Sequence, residues 1–163
     1  MRRLFQFFIP TLVAVTLAVG LRLWLHAAPT VSGPVLEVAW EDLDTIDTPA
    51  LVRVPGMAHY TATVHQRVPG NLFRDAKEYW LYGYFAPYDT ESRGMRVLVR
   101  SPVKPESLVS YELVTITGVL TRATPDKVSW ETEVMFGRQS DYFFTDDMLL
   151  LEPLPVEPSP DQP

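Results

Sequence analysis

The stretch Tyr111–Arg122, with the sequence YELVTITGVLTR, decides the fold class of this chain. Apolar and polar side chains alternate along it, the apolar set being Val114, Ile116 and Leu120 and the polar set Thr115, Thr117 and Thr121. Because successive side chains of a strand point to opposite faces of its sheet, this alternation predicts a half-buried antiparallel strand. Gly118 interrupts the apolar row, and we expect a strongly coiled strand to bend there.

Three further strands are indicated on the N-terminal side of this stretch. Residues 58–68 alternate polar and apolar side chains, which again predicts a half-buried strand. Residues 79–86, YWLYGYFA, are aromatic on both faces, as expected for a central strand. Residues 95–100, MRVLVR, form another strand before a proline-containing loop.

Two more elements are indicated on the C-terminal side. The alternation of residues 128–136, VSWETEVMF, predicts a strand. Residues 142–151 are either a short last strand or a helical turn that starts near Thr145. Five or six short strands with few helix signals predict a mainly β domain over residues 58–152, a small antiparallel β-barrel or sandwich of the OB-like kind.

The composition of the 163 residues excludes several kinds of site. No cysteine is present, which rules out a disulfide scaffold, a thiolate metal site and a cysteine nucleophile. The net charge of −6 argues against electrostatic binding to nucleic acid. We therefore expect no nucleic-acid partner.

The N-terminal segment is predicted to be a transmembrane anchor, assigned to residues 1–28. From Leu4 to Leu21 the chain has no charged residue, and these residues would form a helix of roughly 27 Å, close to the hydrocarbon thickness of a bilayer. The alternative is a signal peptide cleaved near Ala18-Val19-Gly20. The residues expected to contact lipid are Leu4, Phe8, Leu12, Leu17, Leu21 and Trp24.

The orientation of this anchor follows from its charges. Arg2 and Arg3 precede the apolar run, so the positive-inside rule places the N-terminus in the cytoplasm. The predicted location is the bacterial inner membrane, with the C-terminal domain in the periplasm. His26 lies at the end of the helix, where we interpret it as an interfacial histidine rather than a pigment ligand.

Proline-rich segments flank the predicted β domain. Residues 29–57 contain four prolines, which block helix continuation and ladder hydrogen bonds, so we expect an extended tether. Residues 153–163 contain five prolines and are expected to be disordered or polyproline-like.

No sequence motif indicates a catalytic or metal site, so the chain is expected to be no enzyme and to hold no cofactor. His59 and His65 share one face of a predicted strand, but their α-carbons would be about 20 Å apart at about 3.3 Å per residue, too far to share a metal. Tyr and Trp are frequent in protein interfaces, so an aromatic and basic set is the candidate partner surface. Its members are Trp40, Tyr79, Trp80, Tyr82, Tyr84, Arg96 and Arg100. For the aromatic residues between Tyr79 and Tyr88, packing in the core is the favoured alternative.

Two segments carry a resemblance to a known family. Arg96–Pro105 reads RVLVRSPVKP and Val114–Leu120 reads VTITGVL, in that order along the chain. Together with the N-terminal apolar helix, these segments resemble the β domain of the Surfeit-locus cytochrome-oxidase assembly family. This chain has Arg100-Ser101-Pro102 where that family has an Arg-Gly-Trp core, so no functional residue is transferred. The resemblance implies a membrane-anchored assembly factor for a haem-copper oxidase.

The leading functional hypothesis is a non-catalytic, single-span accessory subunit. It would stabilise a larger membrane complex, of the respiratory or photosynthetic electron-transfer kind, with its β domain on the periplasmic surface. Its partners would be other membrane-protein subunits and the lipid bilayer. The alternatives are the oxidase assembly factor and, after signal cleavage, a periplasmic ligand-binding β-barrel.

Overall fold

Strand β5 covers Glu112–Arg122 and confirms the strand predicted from the alternation in this stretch. The computed structural model describes residues 31–70 and 75–155. Their regular elements are, in chain order, β1 (Leu36–Glu37), the 3-10 helix η1 (Trp40–Thr45), β2 (Ala50–Val68), β3 (Lys77–Phe85), β4 (Gly94–Ser101), β5, helix α1 (Trp130–Ser140) and β6 (Phe143–Pro153). The described chain is therefore mainly β, with six strands in one sheet and few helices.

The pairing of the five long strands forms a ring. β2 is antiparallel to β5 through Ala50–Ala58 and antiparallel to β3 from Met57 to Val68. β4 is antiparallel to β3 and parallel to β6, and β6 is antiparallel to β5. The order β2-β3-β4-β6-β5 thus returns to β2, and the two-residue β1 adds a parallel pairing to β2. The closed sheet consequently has an inner and an outer face.

The inner face is filled by apolar side chains from all five long strands. Alternate residues supply it, as the pleat of a strand requires. Its buried members include Val52, Val54, Tyr82, Tyr84, Val97, Val99, Leu120, Leu149 and Leu151. This core also includes Val38, which directly follows β1, and Leu43 of η1.

A second apolar layer lies on the outer face of β2, β3, β4 and β6. Leu81, Leu98 and Leu150 point outward from their strands and are fully buried. Helix α1 covers them, with Phe136 as its central contact. Two opposite faces of the same strands are therefore apolar, which explains the consecutive buried residues Leu81–Phe85 of β3 and Val97–Val99 of β4.

The strand predicted for residues 128–136 is wrong, because this segment contains the helix α1. Ser129 occupies the N-cap position, and Glu131 and Glu133 stand in the first turn, where carboxylates favour the helix dipole. Thr132 and Phe136, four residues apart, are the buried positions. Helical spacing therefore decides which side chains are buried, and Trp130, which the strand pattern would place on the same face as Phe136, is 70% exposed.

The other strand predictions agree with the structure. Residues 79–86 and 95–100 lie in β3 and β4, except that β3 ends at Phe85. Residues 58–68 lie in β2. For residues 142–151 the strand alternative is confirmed by β6.

The structure differs from the extended tether expected for residues 29–57. Val38 and Leu43 are buried in the inner core, and β2 begins at Ala50. Pro55 lies within β2, opposite Thr115 of β5. Burial of apolar side chains thus outweighs the proline content, and the β domain includes residues 36–57.

The predicted anchor, residues 1–28, lies outside the described residues, as do positions 156–163 of the predicted tail. Within residues 31–70 and 75–155, no helix has the length and apolar character needed to cross a bilayer.

Gly118 is required by a close approach of two backbones. It pairs with Val52 of β2 and with Pro153 of β6, at a point where three strands meet. A Cβ at this position would lie 2.8 Å from the carbonyl carbon of Glu152 and 3.0 Å from the Cα of Pro153. Only glycine therefore allows β6 to approach β5 here.

Candidate functional site

An exposed apolar surface lies where the chain passes from β4 into β5. Leu108 is 75% exposed, Val109 57% and Leu113 55%. These three side chains, named here the β4–β5 surface, are close in sequence and border the central part of β2. Contiguous exposed apolar residues are typical of interaction sites, whereas isolated ones are ordinary.

Hydrogen bonds hold this segment against β2. The Tyr60 amide donates to the carbonyl of Val109 over 3.3 Å, and the hydroxyls of Thr61 and Ser110 are 2.8 Å apart. The Ser107 hydroxyl also bonds to the Glu112 carboxylate. The apolar side chains are thus presented by a fixed backbone, which lowers the entropy cost of binding a partner.

A cluster of a histidine and three aromatic rings is linked to this segment through the hydroxyls of Thr61 and Ser110. His59 is only 8% exposed, and its ring stacks on Tyr111 with 4.8 Å between centroids. The Tyr142 ring meets His59 edge-on at 5.2 Å, and Phe85 does so at 6.4 Å. The hydroxyls of Tyr111 and Tyr142 are 2.5 Å apart. We name these four residues the His59 cluster.

The two ring nitrogens of His59 differ in their partners. Nε2 lies 2.8 Å from the Thr61 hydroxyl, whereas the buried Nδ1 has no hydrogen-bond partner. Burial of the imidazole, and next the positive charge of Arg93, lower the pKa of His59 below its ordinary value of 6.5. Burial and the hydrogen bond to Tyr111 raise the pKa of Tyr142. Both shifts favour the neutral forms of His59 and Tyr142 near pH 7.

The lowered pKa of His59 predicts a loss of stability in mild acid. Well above pH 6.5 the histidine is neutral in both the folded and the unfolded chain and contributes no pH dependence. As the pH falls below 6.5, the unfolded chain binds a proton before the folded chain does, so the free energy of unfolding decreases until folded His59 also titrates. We expect His59→Phe, which keeps an aromatic ring, to flatten this part of the profile.

Urea unfolding of the wild type and variants between pH 7.5 and pH 5 measures this effect. The matched control is His65→Phe, because His65 is about half exposed and lies beside Glu78, away from the cluster. A profile in which His59→Phe retains the full wild-type slope, or in which only His65→Phe loses it, would contradict the prediction.

A cleft of 380 Å³ shares Phe85 with the His59 cluster. It is formed by η1, by the β3–β4 loop and by the first residues of β4 and β6. Trp40 and Phe143 supply aromatic side chains to its lining, and Asp89 and Arg96 supply charged ones. Its remaining lining residues are Tyr84, Phe85, Ala86, Ser92, Gly94 and Thr145.

Three members of the predicted partner surface meet at this cleft. Trp40 packs on Tyr84 with 5.7 Å between ring centroids, and Arg96 donates from Nε to Asp44 of η1 over 3.1 Å. Tyr84 itself is fully buried, so it packs against Trp40 and is not accessible to a partner. The remaining accessible pair, Trp40 and Arg96, lines the cleft.

The other members of that predicted surface are dispersed. Tyr82 is buried in the inner core, with its ring 4.9 Å from that of Tyr60. Trp80 packs on His65. Arg100 lies over the Tyr79 ring at 4.6 Å and binds the Glu152 carboxylate through Nε at 3.0 Å and Nη2 at 2.5 Å. These contacts stabilise the sheet, and they do not join Trp40 and Arg96 in one surface.

The sequence pattern does not predict the His59 cluster. Its members come from β2, the end of β3, the residue before β5 and the residue before β6. β2 carries an irregularity between His59, paired with Gly83, and Val64, paired with Leu81, so β2 has extra residues there. Bulges of this kind redirect side chains and are frequent near functional sites. The alternating pattern of residues 58–68 contains no signal for this shift.

The described residues contain no group of three or more His, Asp and Glu side chains that could hold a metal ion. No protein-family model, curated protein or solved structure matches the chain. The resemblance to the Surfeit-locus family stays a prediction. Its two segments lie in β4 with the following loop and in β5, which are not paired with each other.

Proposed function

We propose that this chain is a membrane-anchored accessory subunit without catalytic activity, which binds a larger membrane complex through the β4–β5 surface. The exposure of Leu108, Val109 and Leu113 on a hydrogen-bonded backbone carries this proposal. A rigid apolar surface contributes binding free energy only when a partner covers it. The partner's contacting face would be apolar and would lie on the extracytoplasmic side, where the predicted anchor orients the β domain.

We also propose that the closed sheet is an OB-like β-barrel and that this domain lies in the periplasm. The closed order of five strands, with β4 and β6 parallel, supports an OB-like β-barrel. The apolar run Leu4–Leu21 supports an inner-membrane anchor with a periplasmic β domain. An electron-transfer complex is the partner class we favour, because such complexes carry many single-span subunits.

Co-purification from native membranes tests the proposal. A tagged full-length chain is solubilised in mild detergent, and the expected result is a stoichiometric assembly with other membrane subunits. We expect the double change Leu108→Asp and Leu113→Asp to release those subunits, since truncating or charging central apolar contacts commonly costs about 2 kcal/mol each, or about 30-fold in affinity.

The control is Val134→Asp, which places the same charge on an exposed apolar position of helix α1. It should leave the assembly intact. A wild-type protein that runs alone as a monodisperse monomer defeats the proposal. So does an assembly that the double variant retains unchanged.

A further inference from the structure

The cleft beside η1 has the lining of a small-molecule site, which docking to a membrane complex does not explain. Its walls combine aromatic rings with a few fixed polar groups, the combination found in small-molecule sites, and its volume of 380 Å³ lies in their range. The ring of Phe143 is 57% exposed. Trp40 is partly exposed and held by its contact with Tyr84. Both side chains line the cleft and are accessible to a ligand there.

The polar groups of the cleft retain free hydrogen-bonding capacity. Oδ1 of Asp89 accepts from the amides of Glu91 and Ser92 at 3.2 and 3.0 Å, which fixes the carboxylate and leaves its second oxygen available. The hydroxyls of Ser92 and Thr145 make only long bonds of 3.4 Å to backbone carbonyls. The cleft thus offers one strong acceptor and two adaptable hydroxyls.

The charges of the cleft select against ionic ligands. Arg96 is already paired with Asp44, so its attraction for an anion is weakened, and the charge of Asp89, which forms no ion pair within residues 31–70 and 75–155, repels anions. A cationic ligand would in turn be drawn to Asp89 but would have to approach the Arg96 guanidinium. A neutral ligand avoids both penalties and still uses the Asp89 carboxylate as an acceptor.

We propose that this cleft is a binding site for a neutral saccharide. The apolar face of a sugar ring would cover Trp40 and Phe143, and its hydroxyls would bond to Asp89, Ser92 and Thr145. A peptide ligand fits less well, because two of the accessible polar groups are hydroxyls and the carboxylate is an acceptor suited to the O–H donors of a polyol.

Calorimetric titration of the full-length chain with neutral trisaccharides tests this site. A polyoxyethylene detergent is required, since a detergent with a sugar head group would compete. The neutral probes are maltotriose, cellotriose and fully N-acetylated chitotriose. We expect saturable binding of at least one of them, and weaker binding of the cationic, deacetylated form of chitotriose. We expect Trp40→Ala to lower the affinity by on the order of tenfold or more, as loss of an aromatic anchor commonly does.

Two further variants separate binding from folding. Asp89→Asn keeps the Oδ1 acceptor that orders the loop and should lower the affinity while leaving the thermal midpoint unchanged. Trp130→Ala removes a 70% exposed tryptophan on α1 and should leave the affinity unchanged. The proposal is overturned if none of the three neutral trisaccharides binds, if Trp40→Ala and Asp89→Asn bind as well as the wild type, or if the cationic trisaccharide binds more tightly. None of these outcomes affects docking through the β4–β5 surface.

Discussion

Gly118→Ala is expected to lower the free energy of unfolding by about 3 kcal/mol, the upper part of the range for overpacking a filled site. The new Cβ would lie 2.8 Å from the carbonyl carbon of Glu152, and this obstacle is backbone rather than a flexible side chain. β5 and β6 must therefore separate, which weakens their pairing from Gly118–Pro153 onward. Urea unfolding followed by circular dichroism measures the change.

The control for this substitution is Gly33→Ala. An added Cβ at Gly33 meets no atom within 4 Å, so we expect a change within about 0.5 kcal/mol, as for ordinary surface positions. If Gly118→Ala is as stable as Gly33→Ala, the close approach of β6 to β5 is not a property of the folded protein.

Tyr84→Ala is expected to cost about 3–5 kcal/mol of unfolding free energy, as for other large aromatic residues removed from a core. The ring is fully buried on the inner face, and its hydroxyl lies 2.9 Å from the carbonyl of Val54 and 2.8 Å from that of Val114. The ring also crosses Gly56, where a Cβ would come within 2.6 Å of its Cζ. Tyr84 thus connects β3 with both β2 and β5.

Two companion variants show how much of the lost unfolding free energy comes from the ring of Tyr84 and how much from its hydroxyl. Tyr84→Phe keeps the ring but removes the hydroxyl, and we expect a loss of about 1–2 kcal/mol because buried carbonyls lose a donor. Tyr88→Ala removes a tyrosine that is 83% exposed and should change the stability by less than about 0.5 kcal/mol. Equal stabilities of Tyr84→Ala and Tyr88→Ala would show that Tyr84 is not a core residue.

The alternation of side chains predicts β5 well, because one apolar face of this strand must be buried. The consecutive apolar residues of β3 and β4 predict strands that are buried on both faces. Alternation fails for α1, where Trp130, Val134 and Phe136 happen to fall two or four residues apart. The local helix signals were present in Ser129 followed by Glu131 and Glu133. They could have favoured a helix over the apparent strand pattern.

The burial of residues 36–57 was harder to predict. Val38 and Leu43 lie in a segment rich in prolines and acidic residues, so their local sequence indicates a linker. Their burial depends on the open end of a core that exists only after the five long strands pair. The His59 cluster has the same origin, since its four rings come together only through the register of distant strands.

The place of β6 in the sheet has a consequence for biogenesis. The last strand is inserted between β4 and β5, so the sheet closes only when residues 143–153 have emerged. Until then the inner faces of four strands remain open to solvent, and the contacts that close the sheet join positions far apart in the chain, which slows folding. A chain stalled or truncated before Phe143 would therefore be a substrate for proteases and holding chaperones.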